Sequence, residues 1–232
     1  MTATMVSRFD RSRLRDPRLL REDLFINGEW TPGSAGDRVA VRDPATGGVI
    51  ASMAFATKDD VLRAIAAADA AAPGWARMTA PARARVLRRW YELIVENADD
   101  LAAILTAEQG KPLAEARGEI LYGAGFVEWY AEEGKRAYGD VIPTNVDGRR
   151  VLALRTPVGV SAAITPWNFP SAMILRKAGP ALAAGCPMIV KPADETPLSA
   201  TALAELAFRA GLPRGVLNID RKSTRLNSSH ER

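Results

Sequence analysis

The chain of 232 residues holds one histidine, His230, and one cysteine, Cys186. With its single histidine near the end, the body of the chain has no means of building a Ser-His-Asp triad, a Cys-His pair or a multi-histidine metal site. Proton transfer therefore falls to carboxylates, lysines or tyrosines. A lone cysteine forms no internal disulfide, which fits a reducing cytoplasm. No apolar run reaches the roughly 18 residues that a membrane span requires, so no membrane partner is expected. The basic lead MTATMVSRFDRSRLRDPRLLRED lacks an apolar stretch before a small-residue cleavage site, and no secretory signal is expected either. Charge of one sign is also scarce: 31 Lys and Arg are interleaved with 27 Asp and Glu, and the net +4 leaves no footprint for nucleic acid. What is present is 47% apolar and 25% charged residues, the balance of a globular chain with a real core.

Composition changes abruptly after Ile219. The last segment, DRKSTRLNSSHER, has no periodicity and sets four basic residues against Asp220 and Glu231, half of the net +4. The string looks like a translated sequencing-library adapter, so the native frame is expected to leave this chain near residue 220; a polar terminal tail is the alternative.

Before that break the pattern is α/β. LFINGEW (24–30) contains Asn27-Gly28, a pair that tolerates positive φ and predicts a tight hairpin. A strand is expected near Arg38–Arg42. An alanine-rich helix opens at Asp59-Asp60 and is expected to stop at Pro73-Gly74. A second helix, capped by Thr79, places Val86, Leu87, Trp90, Leu93 and Ile94 on one face. A third carries Leu101, Ile104 and Leu105 to Gly110. A fourth runs from Pro112 to about Arg136, with Gly123 and Gly125 expected at close helix contacts rather than in a phosphate loop, since no strand precedes them. Val141–Arg155 reads as an extended arm turning at Asp147-Gly148, its second half, RVLALR, as an alternating strand. Then come VGVSAAI (158–164) as a buried strand, a helix over 171–184 with a kink expected at Pro180, PMIVK (187–191), a helix over 198–210, and GVLNI (215–219). Strand, helix, strand, helix, strand is half of a doubly wound, Rossmann-like parallel sheet.

Open parallel sheets bind ligands beyond the carboxyl ends of their strands. The first such end is Ile164-Thr165-Pro166-Trp167-Asn168-Phe169-Pro170: two prolines stiffen it, Trp167 offers a flat apolar face, and the Asn168 amide is a donor suited to negative charge on a reacting oxygen. The alternative is an asparagine that only ties its own loop. The second is Lys191-Pro192-Ala193-Asp194-Glu195-Thr196-Pro197, where a lysine and a carboxylate three apart can address ribose hydroxyls; a carboxylate there repels a 2′-phosphate and favours NAD over NADP. Its alternative is a solvated loop with Thr196 as helix cap. Arg176 follows the first loop and suits an anionic group, or is simply an exposed helix arginine. Cys186, beside Pro187, reads as a small buried residue rather than a nucleophile.

ITPWNFP, GPALAAGC and KPADETP, preceded by EQGKPLAEARGE and FVEWYAEEGKRAYGD, resemble the aldehyde dehydrogenase superfamily, most of all its succinate-semialdehyde dehydrogenases, over about residues 22–219. The resemblance implies oxidation of an aldehyde to an acid through a cysteine thiolate, hydride transfer to NAD(P), and a glutamate that activates water. By position, Asn168 resembles the oxyanion-stabilising asparagine, Ile164, Thr165, Pro166 and Trp167 the strand end lining the cofactor, and Lys191, Pro192, Ala193 and Asp194 the ribose-binding loop. Asp194 there suggests NAD, with NADP the alternative. Arg176 resembles the arginine near the substrate carboxylate. The implied organisation is a hairpin and helices of the cofactor domain over 1–138, an oligomerisation arm over 139–156 serving a homodimer or homotetramer, a βαβαβ unit over 157–219, and a non-native tail over 220–232. The family's glycine-rich turn, base and nucleophile fall downstream of Ile219, so this chain alone is expected to be inactive, and to fold poorly with its third strand at an uncovered sheet edge.

Overall fold

A computed structural model of the chain describes residues 9–221; His230 and most of the expected tail lie outside them. Strands β1 (Leu24–Ile26) and β2 (Glu29–Thr31) form the expected antiparallel hairpin. Its turn has φ of 53° at Asn27 and 73° at Gly28, the consecutive left-handed residues whose twist matches the strands. β3 (Arg38–Arg42) pairs with β4 (Val49–Ala54) in a separate two-stranded sheet. The sequence reading passed over β4, because VIASMA is a short apolar run without clean alternation.

Four helices follow: α1 (Lys58–Arg77), α2 (Ala80–Glu96), α3 (Ala98–Gln109) and α4 (Leu113–Glu133). A reciprocal cap between Thr57 and Asp60 starts α1. The helix does not stop at Pro73-Gly74 but continues through them to Arg77. Pro73 lies on the exposed side, where water can satisfy the carbonyl it strands, and the next turn is anchored by buried Trp75, whose indole donates to the Leu182 carbonyl at 3.0 Å. Leu87, Trp90, Leu93 and Ile94 of α2 are buried as their spacing predicts, and Trp90 donates to the Leu203 carbonyl at 3.1 Å. Gly110 ends α3 with φ 85°. Of the three glycines inside α4, only Gly123 is a close contact: a Cβ there would meet Leu175 at 2.9 Å and the Ala172 backbone at 3.1 Å, whereas Gly118 and Gly125 face open space.

The arm is a hairpin of β5 (Asp140–Ile142) and β6 (Val151–Ala153), turning at Asp147-Gly148. It shows no alternation of burial; Val141, Leu152 and Leu154 are all exposed.

The remaining chain is β7 (Ser161–Ile164), α5 (Pro170–Ala184), β8 (Met188–Lys191), α6 (Leu198–Arg209) and β9 (Leu217–Ile219). The three strands are parallel, and the five-stranded sheet runs β2-β1-β9-β8-β7. Two expectations change here. β7 is not buried but is an edge strand, with Val158 before it and Ile164 at its end 92% and 67% exposed. β9 is not at the edge, because β1 lies antiparallel against it at Phe25 and Ile219. Side chains alternate across the sheet: Leu24, Ile26 and Ile189 pack with Ala64 and Ala68 of α1, while Phe25, Met188, Val190, Leu217 and Ile219 join the larger core with α2 to α6. Packing continues two residues past the composition break. Asp220 donates its backbone N–H to the Val190 carbonyl at 3.0 Å, and the side chain of Arg221 is buried. Among the described residues no helix is long and apolar enough to cross a membrane.

Candidate active site

Ile164 stands opposite Lys191 in the β7–β8 register, and the Thr165 N–H donates to the Lys191 carbonyl at 3.1 Å. The two candidate loops therefore open side by side at the carboxyl end of the sheet. In the first, Pro166, Trp167, Asn168 and Phe169 are exposed, while Thr165 and Pro170 are buried. The Thr165 hydroxyl is buried and makes no hydrogen bond among the described residues. The Asn168 carboxamide makes no hydrogen bond among the described residues, so it does not tie its own loop.

In the second loop the Lys191 ammonium donates to Asp194 Oδ1 at 3.0 Å, with the lysine largely buried and the aspartate half exposed. Pro192 and Ala193 are buried beneath them. Thr196 is buried and does not cap α6, whose cap position is Pro197.

Neither α5 nor α6 brings its own capping side chain: the cap residues are Phe169 and Pro197. Two glutamates from the α3–α4 region supply what they lack. Glu108 accepts from the N–H groups of Leu198 and Ser199 at 2.7 and 2.8 Å, and Glu119 from those of Ser171 and Ala172 at 3.0 and 3.2 Å. Glu119 also pairs with Lys111 at 2.6 Å. Lys111 in turn donates to the Asn168 carbonyl at 3.1 Å and lies 4.0 Å from the centre of the Phe169 ring. The sequence reading missed these three residues. All three lie in the quoted stretch EQGKPLAEARGE, but nothing local showed their role, because the backbone groups they hold, at Asn168, Ser171 and Leu198, are more than fifty residues away.

Burial pushes the Glu108 carboxyl up to about 7, against the pull of its hydrogen bonds from Ser199 and Leu198 and of nearby Arg221. Arg221 donates from Nη2 to the Asp194 carbonyl at 2.6 Å, and burial lowers its pKa. Arg176 is exposed on α5 and faces α4 rather than the second loop, its guanidinium 5.7 Å from the centre of the Phe126 ring; it forms no ion pair among the described residues. Cys186 is buried just before the amino end of β8, a strand's length from both loops. Among the described residues no group of three or more His, Cys, Asp or Glu side chains is placed to hold a metal.

The model of the Aldehyde dehydrogenase family matches residues 30–224, taking in both loops and the glutamates that cap behind them. The chain belongs to this family. The glutarate-semialdehyde dehydrogenase of Pseudomonas putida is 56% identical over 207 residues, covering 89% of this aldehyde dehydrogenase chain and 43% of the relative. The NADP(+) succinate-semialdehyde dehydrogenase of Escherichia coli is 55% identical over the same shares. The crystal structure of succinate-semialdehyde dehydrogenase from Burkholderia pseudomallei superimposes with a TM-score of 0.89 at 54% identity, covering 91% of this chain and 44% of that one. This aldehyde dehydrogenase chain thus spans less than half the length of the relatives it matches.

Proposed function

We propose that this chain supplies the nucleotide-binding part and one electrophilic group of an enzyme that oxidises succinate semialdehyde to succinate with NAD(P). The observation that carries the reading is the meeting of the Asn168 loop and the Lys191–Asp194 pair at adjacent strand ends. The residues fit a dinucleotide: Lys191 donates to ribose hydroxyls and Asp194 accepts from them, the unpartnered Thr165 hydroxyl finds a bond, and Ile164, Pro166 and Trp167 form the apolar wall. When bound, the nicotinamide supplies the two-electron acceptor. Asn168 donates from Nδ2 to the aldehyde oxygen as charge develops on it. Arg176 pairs with the substrate's distal carboxylate. Cys186 is too deeply buried to attack an aldehyde, so the thiolate belongs to sequence beyond Ile219, and the 232-residue chain alone turns over no aldehyde. The exposed arm over 139–156 mates copies into a homodimer or homotetramer.

A longer semialdehyde is the second reading, favoured by the name of the P. putida relative. The test begins with sequencing the source DNA across codon 219. The complete gene product is then assayed on succinate and glutarate semialdehydes with NAD and with NADP. Asp194 favours NAD, and the name of the E. coli relative makes NADP the comparison that matters. Arg176→Ala is expected to raise KM at least tenfold for both acidic aldehydes and to spare a neutral one. Unchanged activity on succinate semialdehyde rejects the substrate assignment, and a frame that ends in RKSTRLNSSHER rejects catalysis.

A further inference from the structure

We propose that Lys111 is a positioning residue for Asn168: it fixes the Asn168 peptide and so aims the carboxamide at the reacting oxygen. The inference rests on the aldehyde-oxidising reading above. An oxyanion donor acts only if it is already aimed, and nothing in its own loop aims the Asn168 side chain, which makes no hydrogen bond among the described residues. Orientation must then come through the backbone. The Asn168 carbonyl is held by the Lys111 ammonium at 3.1 Å, and the following residue by the Phe169 ring standing 4.0 Å from the same nitrogen.

The ammonium is itself fixed. Its bond to Glu119 Oε2 is 2.6 Å long, and the two side chains are 11% and 1% exposed, so little water competes. Glu119 uses its other oxygen on the Ser171 and Ala172 N–H groups, gripping the chain immediately after the loop. Lys111 therefore holds the loop from the Asn168 side while Glu119 holds it from the α5 side. The backbone bearing Lys111 has little play, lying between the left-handed Gly110 and the start of α4 after Pro112.

The complete gene product is the material for the test. Lys111→Met is expected to lower kcat about 10- to 100-fold while KM for the nucleotide stays within twofold, since a small misdirection of a catalytic group costs about that much. The deciding comparison is with Asn168→Ala: if Lys111 acts through Asn168, adding Lys111→Met to Asn168→Ala loses nothing further. A kcat within twofold of wild type, or losses that multiply, overturns the proposal. Should Lys111→Met fail to fold, Lys111→Met/Glu119→Gln removes both charges together and is judged by the same criteria. Amide hydrogen exchange over 165–172 is measured in parallel: an acceleration about tenfold beyond that of α2 supports the clamp, and one no larger than that of α2 rejects it. If the wild-type product oxidises no aldehyde, the proposed function fails and the exchange result alone decides whether Lys111 holds the loop.

Discussion

Two glutamates do for α5 and α6 what their own first residues do not, and each faces a different electrostatic problem. Glu119 is neutralised by Lys111 inside the protein. Removing only the lysine leaves a buried carboxylate unpaired, a change that costs about 3–5 kcal/mol in comparable pairs, whereas removing both charges costs much less. Urea unfolding should therefore show Lys111→Met far less stable than Lys111→Met/Glu119→Gln. Among the described residues Glu108 has no such partner at hydrogen-bond distance, and its carboxyl is raised to about 7 from 4.5. Between those values the folded chain holds a proton that the unfolded chain releases, so this group makes stability fall as pH rises from about 4.5 to 7. The full effect is on the order of 3 kcal/mol. Asp60 behaves in the opposite sense. Its burial is more than offset by bonds from Thr57, Ser34 and Arg63 that hold it well below the usual carboxylate range, and its contribution disappears only in strong acid. Unfolding midpoints at pH 5 and pH 8 should differ in wild type, and Glu108→Gln should flatten that slope.

At the scale of elements, the α4–α5 contact uses a glycine on each side, Gly123 against Leu175 and Ala172 and Gly179 against the Phe126 carbonyl. Gly123→Ala forces a Cβ against Leu175 and the Ala172 backbone and should destabilise by about 1–3 kcal/mol. Gly125→Ala, two positions on, meets open space inside the same helix and should stabilise by about 0.5–1 kcal/mol. Urea titration of the pair separates packing from propensity. Local chemistry made the Asn27-Gly28 turn, the Thr79 cap, the Gly110 helix end and the βαβαβ order readable in sequence, since each depends on residues a few positions apart. Three features were not readable, and each is decided by distant partners. α1 runs through Pro73 because Trp75 is anchored on α5. β9 is interior because β1 joins it. Lys111 reaches the Asn168 loop across 57 positions. For the same reason the two loops could be named as strand ends, while what holds them could not.

For the molecule as a whole, the exposed apolar surface is concentrated on the arm and on the edge strand β7. Val141, Leu152, Leu154, Val158 and Ile164 lie on a surface that the described residues leave uncovered. Such a surface drives association. Sedimentation of the 232-residue chain should show concentration-dependent association, weakened by Leu152→Lys/Leu154→Lys; a monodisperse monomer that melts cooperatively would contradict this.

The antiparallel seam between β1 and β9 has a consequence in time. Asn27 donates its N–H to the Asn218 side chain 191 positions later in the chain. A ribosome adding about 5–20 residues each second reaches that partner roughly 10–40 seconds after making the hairpin. Until then β1 presents an open, apolar edge to the crowded cell, and closing so long a loop costs about 5 kcal/mol of chain entropy. The sheet is therefore completed only near the end of this stretch of synthesis.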